Sequence, residues 1–334
     1  MKKVTIIAAI LLIGVMFFSC APKAAETAGS TATGAFVGSQ DQVYYMNVFL
    51  PGAEFWKSAW DGFQDAANQL GVKIVFTGPV NYDAAEQVET FEQILAQNPA
   101  GILLCPLDAD SMNGVVQRAC NMGIPVVTFF TDVPETDRLG TYGPSGTHEG
   151  ALVAYKTAEL IGGEGDIAII TRPQENVAKR IVEFERIMKE EFPRIRIVQS
   201  VYAESDTTKA AEMATAILQA NRNLKAIIPF AALEAIGVAQ AKRETRLDFK
   251  IVTIETDPGV LDLIDQNLID ATIGQDPYSP AYFAMIDLFI ARNKLCQPYT
   301  DWKKKPWSPL PENVMFPNPI ITKENFRDFE PPTW

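Results

Sequence analysis

From residue 42 onward, short runs that are apolar throughout alternate with longer segments whose apolar residues recur at helical spacing. YYMNVFL (44–50) precedes a segment at 55–70 with Trp56, Ala59, Trp60, Phe63, Ala67 and Leu70 on one stripe. VKIVF (72–76), GILLC (101–105) and IPVVTFF (124–130) continue the series, separated by helical patterns on Ala85, Val88, Phe91 and Leu95 and over Met112 to Met122. A strand that is apolar at every position is buried on both faces, as in a parallel sheet covered by helices. The rhythm restarts near residue 150: a helix at 149–161 leads to DIAII (166–170), one at 176–191 to IRIVQSV (195–201), and one at 207–220 to KAIIPF (225–230). Helices at 232–243, 259–266 and 279–292 alternate with FKIVTI (249–254) and IDATIG (269–274). Two serial sets of such units predict an α/β chain of two doubly wound, Rossmann-like parallel-sheet domains. Sheets of this kind bind ligands outside the carboxyl ends of their strands, so two of them facing each other make a closable cleft.

The 334 residues exceed one typical domain, and 47% hydrophobic residues suffice for two cores. A net charge of −12 argues against a nucleic-acid partner, which needs basic surface to release counterions. The run Lys303 to Lys305 reads as a solvated loop. A cytoplasmic repressor would need a basic helix-turn-helix at the start, where a hydrophobic segment stands instead. Lys2 and Lys3 precede an apolar stretch from Val4 to Phe18, shorter than the roughly 20 residues of a spanning helix, so residues 1–20 read as a signal peptide. It ends in Ser19-Cys20, which resembles a lipobox whose Cys20 carries lipid and starts the mature chain. Phe17 and Phe18 replace the usual Leu and small residue, which leaves ordinary signal cleavage as the alternative. Residues 21–41, rich in Ala, Ser, Thr and Gly, read as a flexible tether. Cys105, Cys120 and Cys296 are too few and too scattered for a disulfide framework, and His148 is the single histidine, so neither a zinc site nor a histidine triad is available. No nucleophile elbow, phosphate loop or metal cluster accompanies Asp108 and Asp132. The chain is therefore read as a non-enzyme without cofactor or metal.

Four further segments carry a family resemblance. Phe55-Trp56 is followed by Gly62 and AANQLGVKI. Arg180 is followed by Phe184, with Glu183 in place of a glycine. IVTIETD (251–257), Ile264 and ATIGQDPYSPAY (271–282) follow, and ITKENF (321–326) closes the chain. In this order, over about residues 42–330, the chain resembles the periplasmic sugar-binding proteins of ABC transporters, of the ribose and galactose type. These are type I periplasmic binding proteins related to the ligand-binding core of LacI-type repressors. The resemblance implies a monomeric, extracytoplasmic flytrap that closes on a sugar or polyol and presents it to an ABC permease. The alternative is a sensing subunit, an autoinducer or chemotactic sugar receptor, that signals to a membrane partner. It also implies three interdomain crossings, near 142–146, near 275–276 and within 296–312. The first domain is then 42–144 plus 277–300, and the second is 146–275 plus 307–334.

A sugar site needs aromatic faces for C–H surfaces and fixed polar groups for hydroxyls. The resemblance assigns Phe55 and Trp56 as the ring platform, although Trp56 shares a stripe with Trp60 and Phe63 that also fits a core position. It assigns Arg180 to ligand hydroxyls, the other reading being a surface pair with Glu183 or Glu185. Glu255 and Gln275 take the places of the family's binding Asp and hinge Gln, against a helix-terminal acid and a loop amide. Asp132 and Asp108 follow apolar runs and are candidates too, against turn and cap acids. Ala53, Ala231 and Ala232 stand where the family often carries Asn or Asp, and Phe129, Phe130 and Phe230 add apolar wall. That combination implies a ligand less hydroxylated than ribose or glucose.

Overall fold

The computed structural model describes residues 36–172, 175–296 and 310–329. Cys20, the tether up to residue 35 and the run Lys303 to Lys305 lie outside them. The first sheet has the order β11-β5-β4-β3-β1-β2, all parallel. Its strands are β1 (Val43–Val48), β2 (Lys73–Thr77), β3 (Gly101–Cys105), β4 (Val126–Phe129), β5 (Gly140–Gly143) and β11 (Asn313–Met315). The second has the order β12-β10-β9-β8-β6-β7, from β6 (Gly165–Thr171), β7 (Ile195–Tyr202), β8 (Ala226–Pro229), β9 (Lys250–Ile254), β10 (Ala271–Ile273) and β12 (Ile320–Ile321). Only β12 runs antiparallel, against β10.

Strands apolar on both sides are covered on both sides. In β3, Leu103 and Cys105 join the core under α1 (Phe55–Leu70) and α9 (Tyr278–Asn293). Ile102 and Leu104 face the core under α2 (Ala84–Ala96) and α3 (Ala109–Asn121). In β6, Ile167 and Ile169 meet α4 (Gly146–Ile161) and α5 (Glu175–Glu190). Ala168 and Ile170 meet α6 (Thr207–Ala220), α7 (Ala232–Thr245) and α8 (Pro258–Asp265). Two glycines set how closely helices approach. A Cβ on Gly62 of α1 would lie 2.3 Å from the Tyr278 carbonyl of α9, and one on Gly150 of α4 would lie 2.2 Å from the Arg180 carbonyl of α5. Cys105 and Cys120 are buried, and burial pushes the Cys105 thiol up to about 12. Among the described residues no helix is long and apolar enough to cross a membrane.

The chain passes from the first sheet to the second between β5 and α4, and returns between β10 and α9, which packs on α1. The third passage differs from expectation. Residues 313–315, assigned with 307–334 to the second domain, form β11 and pair with Thr141 to Gly143 in the first sheet. The last change of sheet therefore falls in 316–319, between β11 and β12, rather than within 296–312.

Candidate functional site

The polar residues of the second lobe gather where its strands end. Arg172 follows β6, Phe230 follows β8, Glu255 follows β9 and Gln275 lies just past β10. Arg180, in the second turn of α5, reaches the same place and is only 3% exposed. Its Nε donates to Glu149 Oε2 at 2.8 Å and its Nη1 to the Phe230 carbonyl at 3.3 Å. A guanidinium has five N–H groups, so donors remain beyond these two. The surface pairing with Glu183 does not form; Glu183 binds Arg186 instead. Gln275, 6% exposed, donates through Nε2 to Glu149 Oε1 at 2.5 Å. Asn318 Nδ2 lies 3.5 Å from the same oxygen and donates to the Gly274 carbonyl at 2.8 Å.

Glu255 has φ of 119°, a conformation L residues avoid. Its backbone is fixed by the bond from its N–H to the Ile273 carbonyl at 3.0 Å and by Thr272 Oγ1, which donates to its carbonyl at 2.7 Å. Burial pushes its carboxyl above the ordinary range, opposed by the charges of Arg180 and Arg172. Among the described residues its carboxylate receives no hydrogen bond, and Arg172 donates a long one from Nη1 to Ser205 Oγ at 3.3 Å.

A cavity of about 330 Å³ opens at the junction of the lobes, with Phe130, Asp132, Glu149, Arg180 and Tyr142 in its wall. That is the low end of small-ligand sites. Phe55, Glu255 and Gln275 do not line it. Asp132 is engaged within its own lobe: Arg138 binds both oxygens, at 2.5 Å from Nη2 to Oδ2, while Thr128 Oγ1 and the Val133 N–H each donate to Oδ1 at 2.8 Å. Burial pushes this carboxyl up, but the bonds and charge of Arg138 together with Thr128 and Val133 outweigh it and hold it below the usual range. Asp108 caps α3 by accepting from the Ser111 N–H at 2.8 Å and from the Ser111 hydroxyl, which lowers its pKa. The aromatics divide by depth. Trp56 is 3% exposed, donates Nε1 to the Phe49 carbonyl at 2.8 Å and belongs to the first lobe's core. Phe129 and Phe230, expected as cleft wall, are fully buried in the cores of their lobes. Half-buried Phe55 meets half-buried Phe130 edge to face at 5.2 Å, and Phe130 sits in a left-handed conformation at φ 62°.

This arrangement has many relatives. The model for a periplasmic binding protein domain matches residues 43–289. The chain belongs to that family. The D-allose-binding periplasmic protein of Escherichia coli (strain K12) is 30% identical over 261 residues, 74% of this chain and 82% of that protein. A solved sugar-binding protein of a sugar ABC transporter from Bacillus halodurans superimposes with a TM-score of 0.81 at 33% identity, covering 86% of this chain and 100% of that one. An arabinose-binding protein from Geobacillus stearothermophilus gives 0.78 at 28% identity, covering 87% and 100%. Two parallel-sheet α/β domains are the type I periplasmic binding protein fold.

In this binding protein the structure brings Arg180, Glu255 and Gln275 to one end of the second sheet, and Phe55 and Asp132 to the corresponding end of the first. Glu149 and Asn318 escaped the sequence reading. An acid in a helix's first turn is ordinary, because it offsets the macrodipole there. Asn318 lies between two strands too short to leave a pattern. Among the described residues no cluster of histidine, cysteine and carboxylate groups suits a metal.

Proposed function

We propose that this protein captures a sugar or polyol between its lobes and hands it to an ABC permease. The observation that carries the reading is the Arg180 guanidinium, buried at the end of the second sheet beside a cavity, fixed through two of its N–H groups and left with donors to spare. Glu255, whose carboxylate receives no hydrogen bond from the described residues, supplies the complementary acceptor, and Phe55 with Phe130 supplies an apolar face for the ring. Gln275 and Asp132 complete the polar set. Trp56 supports Phe55 from beneath, and Asp108 holds the start of α3. The alanines at 53, 231 and 232 favour a ligand with fewer hydroxyls than ribose. Relatives named for D-allose and arabinose support the class.

A thermal-shift panel of D-allose, arabinose, ribose, xylitol, myo-inositol and a deoxy sugar tests it. A true ligand at 100 times its dissociation constant stabilises by about 2.7 kcal/mol. Calorimetry of Arg180→Ala with the best binder should show affinity reduced about ten- to a hundred-fold, since unpaired polar groups cost roughly 1–3 kcal/mol and about 1.4 is tenfold. A panel in which no compound raises the melt would overturn the class, and unchanged affinity in Arg180→Ala would overturn the site.

The same reading makes the mature protein an extracytoplasmic lipoprotein. It rests on Lys2, Lys3, the short apolar stretch and Ser19-Cys20. The intact mass of protein from the membrane fraction should correspond to a chain starting at lipid-modified Cys20. A mature start at any other residue would sink the anchor.

A further inference from the structure

Glu149 lies where the lobes join, and it is not itself among the proposed sugar contacts, although it binds Arg180, which is. It stands in the first turn of α4, just past the first passage between sheets, and is 1% exposed. Carboxylates are rarely buried this deeply without a task, because desolvation penalises the charge. One oxygen receives Arg180 Nε at 2.8 Å. The other receives Gln275 Nε2 at 2.5 Å, on the second passage, and faces Asn318 Nδ2 at 3.5 Å, on the third. Side chains from the second and third connecting segments thus meet at a carboxylate that sits one turn past the first. Gly150 makes the meeting tight. The missing Cβ lets α4 approach α5 to where that atom would sit 2.2 Å from the Arg180 carbonyl. On the hinge side the network is incomplete, since Asn318 Oδ1 is buried without a partner.

We propose that Glu149 is a positioning residue that couples Arg180 to the hinge. Through Oε2 it orients the guanidinium, and through Oε1 it sets the resting angle between the lobes. Rotation about the three passages must lengthen or replace the bonds to Oε1, while anything bound to Arg180 acts on Oε2. Both events therefore draw on one group, which is the physical form coupling between a site and a hinge requires. The orienting half rests on the reading of Arg180 as a ligand contact; the hinge half does not, and it is measured without ligand.

The substitution that separates these roles is Glu149→Gln, which keeps the shape. Its single acceptor oxygen should turn to the Arg180 charge, leaving an amide N–H₂ opposed to Gln275 Nε2, so the charge-assisted hinge bond is replaced at best by a weaker neutral one from a turned Gln275 amide, and the arginine keeps a partner. Gln275→Met removes the same bond from the other side. Spin labels at Lys57→Cys on α1 and Glu212→Cys on α6, both exposed, report the interlobe distance in the full chain carrying Cys20→Ser and Cys296→Ser. Without ligand, each variant should show a second distance absent from the parent, and the double variant should show no shift beyond the single ones, because both remove one interaction. Superimposable distance distributions in variants that melt like the parent would overturn the proposal, and so would shifts that add in the double variant. If Glu149→Gln does not fold, Gln275→Met alone decides: an unchanged distribution overturns it. Failure of the sugar reading has a different signature, a sugar affinity indifferent to Arg180→Ala with the distance shifts intact.

Discussion

Two carboxyls, half-buried Glu255 and buried Asp287, sit above their ordinary range, and their surroundings separate a proposed site residue from a structural one. Glu255 is raised by burial but faces two guanidiniums and carries a strained backbone. Asp287, on α9, has the hydroxyl of Tyr142 from β5 as its hydrogen-bond partner, and burial pushes it up to about 6. Strain held by surrounding structure marks function more often than burial alone does. Asp287 instead joins a helix to a sheet, and its cost appears in stability. An unfolded aspartate titrates near about 3.9. Below that pH both states hold the proton and the contribution is fully present. As pH rises toward about 6, the unfolded state loses its proton while the folded state keeps it, so stability falls across this window and the penalty is complete above it. Asp287→Asn removes this titration. Its melting temperature relative to the parent should be higher at pH 7 than at pH 4, read by paired melts at both values. An equal difference at the two pH values would show that Asp287 titrates normally. Legibility at this scale was uneven. Arg180 stood out as a charge beside the stripe of Val177, Ile181 and Phe184, whereas the depth of Trp56 was undecidable because a platform and a core position share the same helical spacing.

At the scale of elements, what the sequence revealed was whatever buries enough apolar surface to leave a period. β3 is apolar at all its positions because both faces are covered, and its reading agreed with the structure residue for residue. β5 reads GTYG, with a single large side chain, and is a strand because β4 and β11 flank it, not because of its own preference. β11 and β12 have three and two residues, and their partners lie far away in sequence. Short strands that owe their existence to distant neighbours carry no local signal, and the third passage was misplaced for that reason. Helix starts erred by a similar mechanism. α3 begins at Ala109, three residues before its first deeply buried side chain at Met112, because Asp108 caps it there. The site inherits these errors. Arg180, on the long periodic helix α5, was found, whereas Asn318, on the segment between two minimal strands, was not, and Glu149 was hidden as an ordinary first-turn acid of α4.

At the scale of the whole molecule, the connections decide what can move. Three passages between the sheets, at the β5–α4, β10–α9 and β11–β12 junctions, lie side by side enough for one carboxylate to touch residues of the second and third and to sit one turn past the first. Chains joined this way can bend about the bundle of passages while each lobe, with its covered sheet, stays rigid. Arg180 and Glu255 belong to the second lobe and Phe55 and Phe130 to the first, so a ligand held by both sets gains contacts when the lobes approach, and that differential contact is what makes closure follow binding. Small-angle scattering on the protein with the best sugar from the thermal panel should therefore give a smaller radius of gyration at saturation than without sugar, and the forward scattering should give the mass of one chain in both states. An unchanged radius, with binding established by calorimetry on the same sample, would mean that the ligand enters a preformed site and that the hinge does not take part in capture.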